Sequence, residues 1–309
     1  MMRSIVLLAL AVCCFGQNRE GFLNVPGGPV WYQIRGTGSG IPLVVLHGGP
    51  GGTSCGFSAL APLGGERPIV VYDQLGGGRS GRPADRNLWT VEHFVEELDL
   101  VRKQLGLEKI HLMGHSWGGS LATAYVLSKG TKGIESLILS SALLSTPDWI
   151  RDAEELKKQL PLEVQKTLRR HEMAGTTDDP AYRIAELEYT RRFVRRKPRG
   201  GPNPECAESV GNRLIYEQMW GPSEFHATGS LKSFDVTARL SELRLPVLLV
   251  VGQFDEARPE TAARYQKLIP GSKLEVIPGA AHSQLGDNPE ATLAALQSFL
   301  NGVEKRRPR

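Results

Sequence analysis

Ile110-His111-Leu112-Met113-Gly114-His115-Ser116-Trp117-Gly118 decides how this chain is read. Its first four residues read as a short buried strand, and residues 118–129 carry the period of a helix. Between them stands G-x-S-x-G, at the strand-to-helix turn that the motif requires. So sharp a turn holds a serine hydroxyl exposed at the edge of a sheet. Glycines two before and two after Ser116 let the backbone pass close to its neighbours. The helix start behind the serine favours developing negative charge.

Outward from this turn the grammar repeats. Residues 41–46 and 68–72 are continuous apolar runs of the buried-strand type. Thr90 can cap a helix with Val91, Phe94, Val95, Leu98 and Val101 on one face, closed by Gly106. Residues 134–139 read as another strand. Strand alternating with helix means a parallel sheet covered on both faces. From 145 to 233 the chain turns polar, charged and helical in period. Strands return at 246–252 and 273–277, and Pro289 opens a last helix over 289–301. The expected fold class is α/β: one domain with a mostly parallel central sheet flanked by helices (17–144 and 234–303), interrupted by a helical cap (145–233). There is no internal repeat.

With 309 residues, 40% hydrophobic and 23% charged, the chain is neither collagen, coiled coil nor disordered. Its net charge of +4 lies at the ends: Arg3, and a basic tail over 304–309 that carries +3. Residues 17–303 are neutral, so no nucleic-acid partner is expected. Within them the run 191–199 holds six positive charges, leaving −6 on the rest, a balance that suits a substrate with a free ammonium. The run itself is read as a solvated cap helix, in preference to a contact with a substrate's distal carboxylate or an acidic partner. Residues 1–16 read as an export signal: Arg3, then an apolar stretch from Ile5 to Phe15, then Cys14 and Gly16 at the −3 and −1 positions of a cut. Lipid modification at Cys13 is disfavoured by the bulk of Val12. The stretch is too short to span a bilayer, and an exported, periplasmic or secreted protein is expected. Cys55 and Cys206 then remain, as one disulfide or as two free thiols.

A serine hydroxyl needs a base, and the base an orienting acid, in the chain order Ser, Asp/Glu, His. Asp255 stands just past the end of a strand, and His282 lies in the loop after the next one. Asp287 is a rival acid. Two backbone N–H donors should face the reacting carbonyl, one from Trp117 and one from Gly49 in the loop His47-Gly48-Gly49-Pro50-Gly51-Gly52. His47 reads as a structural hydrogen-bonder in that turn. No cofactor or metal is expected. His111 and His115 lie on a strand-to-turn segment without H-E-x-x-H, and no phosphate-loop or dinucleotide fingerprint fits.

Together, His47-Gly48-Gly49-Pro50-Gly51, Asp73-Gln74-Leu75-Gly76-Gly77-Gly78-Arg79-Ser80 and Gly114-His115-Ser116-Trp117-Gly118-Gly119 resemble the α/β-hydrolase superfamily. More closely, they resemble the proline iminopeptidase family of serine exopeptidases. The resemblance spans roughly residues 25–300 and is weakest over 150–205. It implies an α/β-hydrolase fold, the triad Ser116, Asp255 and His282, and an oxyanion hole at Gly49 and Trp117. Gly221-Pro222-Ser223-Glu224-Phe225 and Gly252-Gln253-Phe254-Asp255-Glu256 look like the tricorn-interacting aminopeptidase branch. There the matching glutamates, here Glu224 and Glu256, hold the substrate's α-amino group. The residue chemistry agrees, because an exopeptidase must count from a charged N-terminus. The function implied is release of an N-terminal residue, proline first among candidates, from short peptides or amino-acid amides through an acyl-enzyme. The rivals are a carboxylesterase or lactonase on the same triad, and a ligand-binding homologue without turnover.

Overall fold

A computed structural model describes residues 18–198 and 204–305. The expected leader lies outside the described residues, as do 199–203 and 306–309. Strands β1 (Arg19–Val25) and β2 (Gly28–Arg35) form a hairpin. They are followed by β3 (Leu43–Leu46), β4 (Ile69–Tyr72), α1 (Val91–Gln104), β5 (Ile110–His115), α2 (Trp117–Lys129) and β6 (Ile134–Ser140). Helices α3 (Thr146–Lys157), α4 (Leu162–Ala174), α5 (Pro180–Tyr189) and α6 (Arg213–Met219) come next. The chain then returns to β7 (Val247–Gly252), α7 (Pro259–Leu268), β8 (Lys273–Ile277), the short α8 (Gln284–Asp287) and α9 (Pro289–Lys305).

The eight strands make one sheet in the order β1-β2-β4-β3-β5-β6-β7-β8. Pairing is antiparallel for β1–β2 and β2–β4 and parallel from β4 to β8. Alternation within the strands explains why both faces are covered. Val44, Leu46, Leu112, Leu137 and Leu249 join the core under α1 and α2. Their neighbours Leu43, Val45, Met113, Ile138 and Leu248 join the opposite core, with Leu296, Phe299 and Leu300 of α9. Thr90 caps α1 by accepting from His93 N (3.2 Å), and Phe94, Val95, Leu98 and Val101 are buried, as their spacing predicts. The cap helices carry a small core of their own, with Leu156, Leu168, Tyr182, Tyr189 and Phe225.

Three sequence expectations change. Cys55 and Cys206, left open above, form a disulfide between the segment after β3 and the loop before α6. The last helix runs on through Lys305, so Glu304 is not part of a free tail. It pairs with the buried Arg67 (2.6 Å) and with His111 (3.1 Å), tying α9 to the sheet. Nor is the basic run, as far as Pro198, one helix, although Arg191, Arg196 and Lys197 are exposed as expected. Thr190–Val194 form one π-helical turn with Phe193 buried, and Arg195 is extended. The backbone of this strap is bonded to the core: Phe193 O accepts from Glu256 N and His282 N, and Val194 O from Ser283 N.

Candidate active site

Ser116 joins β5 to α2 with φ 55° and ψ −123°, in the left-handed region. A non-glycine residue held there costs about 1–3 kcal/mol, a strain typical of functional sites. The turn is tight enough to require its glycines. A Cβ on Gly114 would fall 2.1 Å from Gly118 O, and one on Gly118 2.3 Å from Leu46 O. Ser116 N donates to Ser140 O (2.9 Å), which fixes the elbow against β6.

The parallel register brings the ends of β5, β6, β7 and β8 to one edge, and the loops there carry the other expected residues. His282 Nδ1 lies 3.0 Å from Asp255 Oδ1. Asp255 is buried, and its carboxylate also accepts from Gly252 N (3.0 Å), Ala257 N (2.9 Å) and Ser141 Oγ. These donors fix the carboxylate in the orientation that faces His282. Burial pulls the imidazole of His282 downward. The charge and hydrogen bond of Asp255, with the charge of Glu224, outweigh it and leave the imidazole above its ordinary value. The ring of His115, the residue before Ser116, stands 4.6 Å from that of His282. Ser116 Oγ makes no hydrogen bond to His282 in this structure. Such bonds commonly tighten only when substrate is bound. Asp287, the rival acid, is committed elsewhere: it accepts from Ala281 N (2.9 Å), Arg196 N (3.0 Å) and Lys197 N (2.8 Å).

Glu256 follows Asp255 and is 1% exposed, yet neither carboxylate oxygen has a hydrogen-bond partner among the described residues. Its Oε1 lies 3.9 Å from His282 Nδ1. Burial first, then the charges of Glu224 and Asp255, push its carboxyl well above the usual range. Burial likewise raises Glu224, against the pull of His282. Tyr189 and Tyr216 face these acids with phenols that burial and the two glutamates keep protonated. Trp149 donates from Nε1 to Glu224 O (2.9 Å) and sets its ring 5.6 Å from His282. Buried carboxylates without partners are rare and expensive, and a cation from the substrate would relieve them.

The loop after β3 lies against Ser116: a Cβ on Gly48 would come 3.0 Å from Ser116 Cβ. Gly49 takes φ 120° in this loop. Trp117, first residue of α2, has an N–H without an intrahelical acceptor. His47 is buried and kept neutral chiefly by desolvation, with Nδ1 2.8 Å from Gly48 O.

Two glutamines without an expected role organise this site. Gln74 donates from N to His47 Nε2 (2.9 Å) and from Nε2 to His47 O (3.0 Å), and accepts from Trp117 Nε1 (2.9 Å). It therefore couples the two segments that carry Gly49 and Trp117. Gln284 donates to Ser141 Oγ and to Val250 O (3.1 Å) behind Asp255. Gln74 stood in a quoted motif, but its partners are far away in sequence. Among the described residues, no group of three or more His, Cys, Asp or Glu is placed to hold a metal ion.

This sheet, elbow and strand-end pair define a hydrolase of the α/β class, and the profile of the alpha/beta hydrolase fold matches residues 41–289. The proline iminopeptidase of Heyndrickxia coagulans is 44% identical over 289 residues, 92% of this chain and 99% of that one. The solved structure of the proline iminopeptidase of Mycobacterium smegmatis has a TM-score of 0.82 at 32% identity, over 93% of this chain and 99% of the other. That of VinJ has a TM-score of 0.85 at 31% identity, over 92% and 99%. The chain belongs to the proline iminopeptidase family of α/β-hydrolases.

Proposed function

We propose that this protein is a serine aminopeptidase that releases an N-terminal residue, proline foremost, from short peptides or amino-acid amides. The observation that carries this reading is the Glu256 carboxylate, buried beside Glu224 with no hydrogen-bond partner among the described residues and 3.9 Å from His282. An α-ammonium placed between the two glutamates satisfies both and sets the first carbonyl over Ser116. The names of the relatives support proline as the first residue.

In this mechanism Ser116 Oγ attacks the carbonyl carbon while His282 Nε2 takes the hydroxyl proton. Asp255 holds Nδ1–H and stabilises the imidazolium. The oxyanion is received by the N–H groups of Gly49 and Trp117. His282 then returns the proton to the departing amine, whose C–N bond breaks to leave an acyl-enzyme. Water, deprotonated by His282, releases the free amino acid and restores Ser116. Export is part of the same reading, supported by the leader in the sequence and by the Cys55–Cys206 disulfide, which persists in oxidising compartments.

The test is a panel of aminoacyl-naphthylamides, prolyl included, against N-acetylprolyl-naphthylamide and acyl esters of matched size, with Ser116→Ala as control. Hydrolysis of the prolyl compound and rejection of its N-acetyl form is the expected result. Esters turned over in preference to every aminoacyl substrate would establish an esterase instead.

A further inference from the structure

An open cleft of about 480 Å³, lined by Gly48, His115, Phe57, Gln284, Arg195 and the Cys55–Cys206 disulfide, lies one residue away from Ser116 and His282, bordering them through Gly48, His115 and Ser283. This lies within the range of small-ligand sites, roughly 300–1,000 Å³. Neither Glu224 nor Glu256 lines it. Amide hydrolysis places the two halves of a substrate on either side of the reacting carbonyl. With the N-terminal residue held by its ammonium at the glutamates, the leaving peptide has to occupy a different space beside His282, which protonates it.

Among the described residues that line the cleft, one is a cation, Arg195. Arg195 is anchored through its backbone: its N–H donates to Thr190 O (2.8 Å), the preceding Val194 O accepts from Ser283 N (2.8 Å), and the following Arg196 N reaches Asp287 (3.0 Å). Its guanidinium lies over Gly286, where a Cβ would come 2.8 Å from Nη2. Nε donates to Lys197 O (3.2 Å), and among the described residues no carboxylate pairs with the side chain. The other titratable groups of the cleft, His47 and His115, are held neutral by burial.

We propose that this cleft is the subsite for the leaving peptide and that Arg195 binds its C-terminal carboxylate, making the enzyme selective for short free-acid peptides. The inference rests on the aminopeptidase reading above. A planar guanidinium on a fixed backbone suits a carboxylate in two-pronged geometry. An extended residue spans about 3.3–3.6 Å, so the carboxylate of a di- or tripeptide ends within the cleft, whereas that of a long chain passes beyond it.

The experiment measures kcat/KM for Pro-Gly and Pro-Gly-Gly against their C-terminal amides, in the wild-type protein, Arg195→Gln and Arg195→Lys. The readout is the free-acid to amide ratio, which a general loss of folding or activity does not move. The wild-type ratio is expected above one. Arg195→Gln should lower it by about tenfold or more, the effect of one charge-assisted contact, and Arg195→Lys should fall between. A wild-type ratio of one, or a ratio unmoved by Arg195→Gln, overturns the subsite while leaving the aminopeptidase reading intact. Failure of the wild-type protein to release proline from any of these peptides overturns that reading itself.

Discussion

Glu256→Gln should damage catalysis and strengthen the fold at once. The substitution keeps the shape and removes the charge of a side chain that is 1% exposed and, among the described residues, has no hydrogen-bond partner at ordinary distance, only the phenol of Tyr189 and the ring of His282 nearby. An ammonium about 4 Å from a carboxylate gains roughly 4 kcal/mol at an effective dielectric near 20. Removing one member of a buried pair costs about 3–5 kcal/mol. At 1.36 kcal/mol per tenfold, kcat/KM for a prolyl-naphthylamide should fall by roughly two to nearly four powers of ten. An acyl ester without an amine makes no such contact and should lose far less. Stability moves the other way. The Glu256 carboxyl is raised in the folded protein, so the folded state loses stability as pH climbs from the unfolded carboxylate value toward the folded one. Glutamine removes that penalty, so Tm should rise, and by more at pH 8 than at pH 5. The assay pairs kcat/KM on both substrates with thermal melts at the two pH values. Equal loss on amine and ester, or a Tm that falls at pH 8, would refute the claim that this carboxylate awaits a cation.

The remaining expectations concern the base, the staple and the oxyanion loop. His282 is raised above the ordinary imidazole value of about 6.5, so the acid limb of kcat/KM should have its midpoint above that pH. Glu224→Gln removes one of the charges that raise it and should move the midpoint down, as a pH–rate profile on an ester substrate will show. Reduction of Cys55–Cys206, which closes a 151-residue separation, should cost up to about 5 kcal/mol and lower Tm, measured with and without reductant. Gln74→Leu removes the two side-chain bonds, to His47 O and from Trp117 Nε1, that link the loop of Gly49 to the start of α2, so kcat should drop about 10- to 100-fold with little change in KM. An equal rise in KM would place Gln74 in substrate binding instead.

Much of the chemistry was legible in the chain because local rules carry it. The turn at Ser116 is dictated by glycines within two residues of it, and the capping of α1 by a threonine at its start. The apolar runs at 43–46 and 247–252 can only be strands buried on both faces. What stayed hidden involves partners tens or hundreds of residues apart. In one dimension Asp255 fits the order Ser, acid, His, and Asp287, which follows His282, stands only as its rival. Only the fold shows Asp287 accepting backbone N–H groups of the strap and Asp255 facing His282. The basic run 191–199 looked like a solvated surface because charge dominates its composition. Its backbone carbonyls at Phe193 and Val194 nevertheless receive the N–H groups of Glu256, His282 and Ser283, a role that composition does not encode. The same holds for Ser141, which takes φ 44° to reach Asp255.

Local pattern was enough to read the class of sheet, the tight turn at Ser116, and the expected chain order of serine, acid and histidine. Each follows from side-chain period or from steric demands on neighbouring residues. It took the tertiary structure to exclude the rival Asp287, to bring Cys55 to Cys206, to anchor Glu304, and to set the Arg195 guanidinium over Gly286 in the cleft bordered by Gly48 and His115. These depend on distances between segments, which parallel register and the docking of the cap create and no local pattern records.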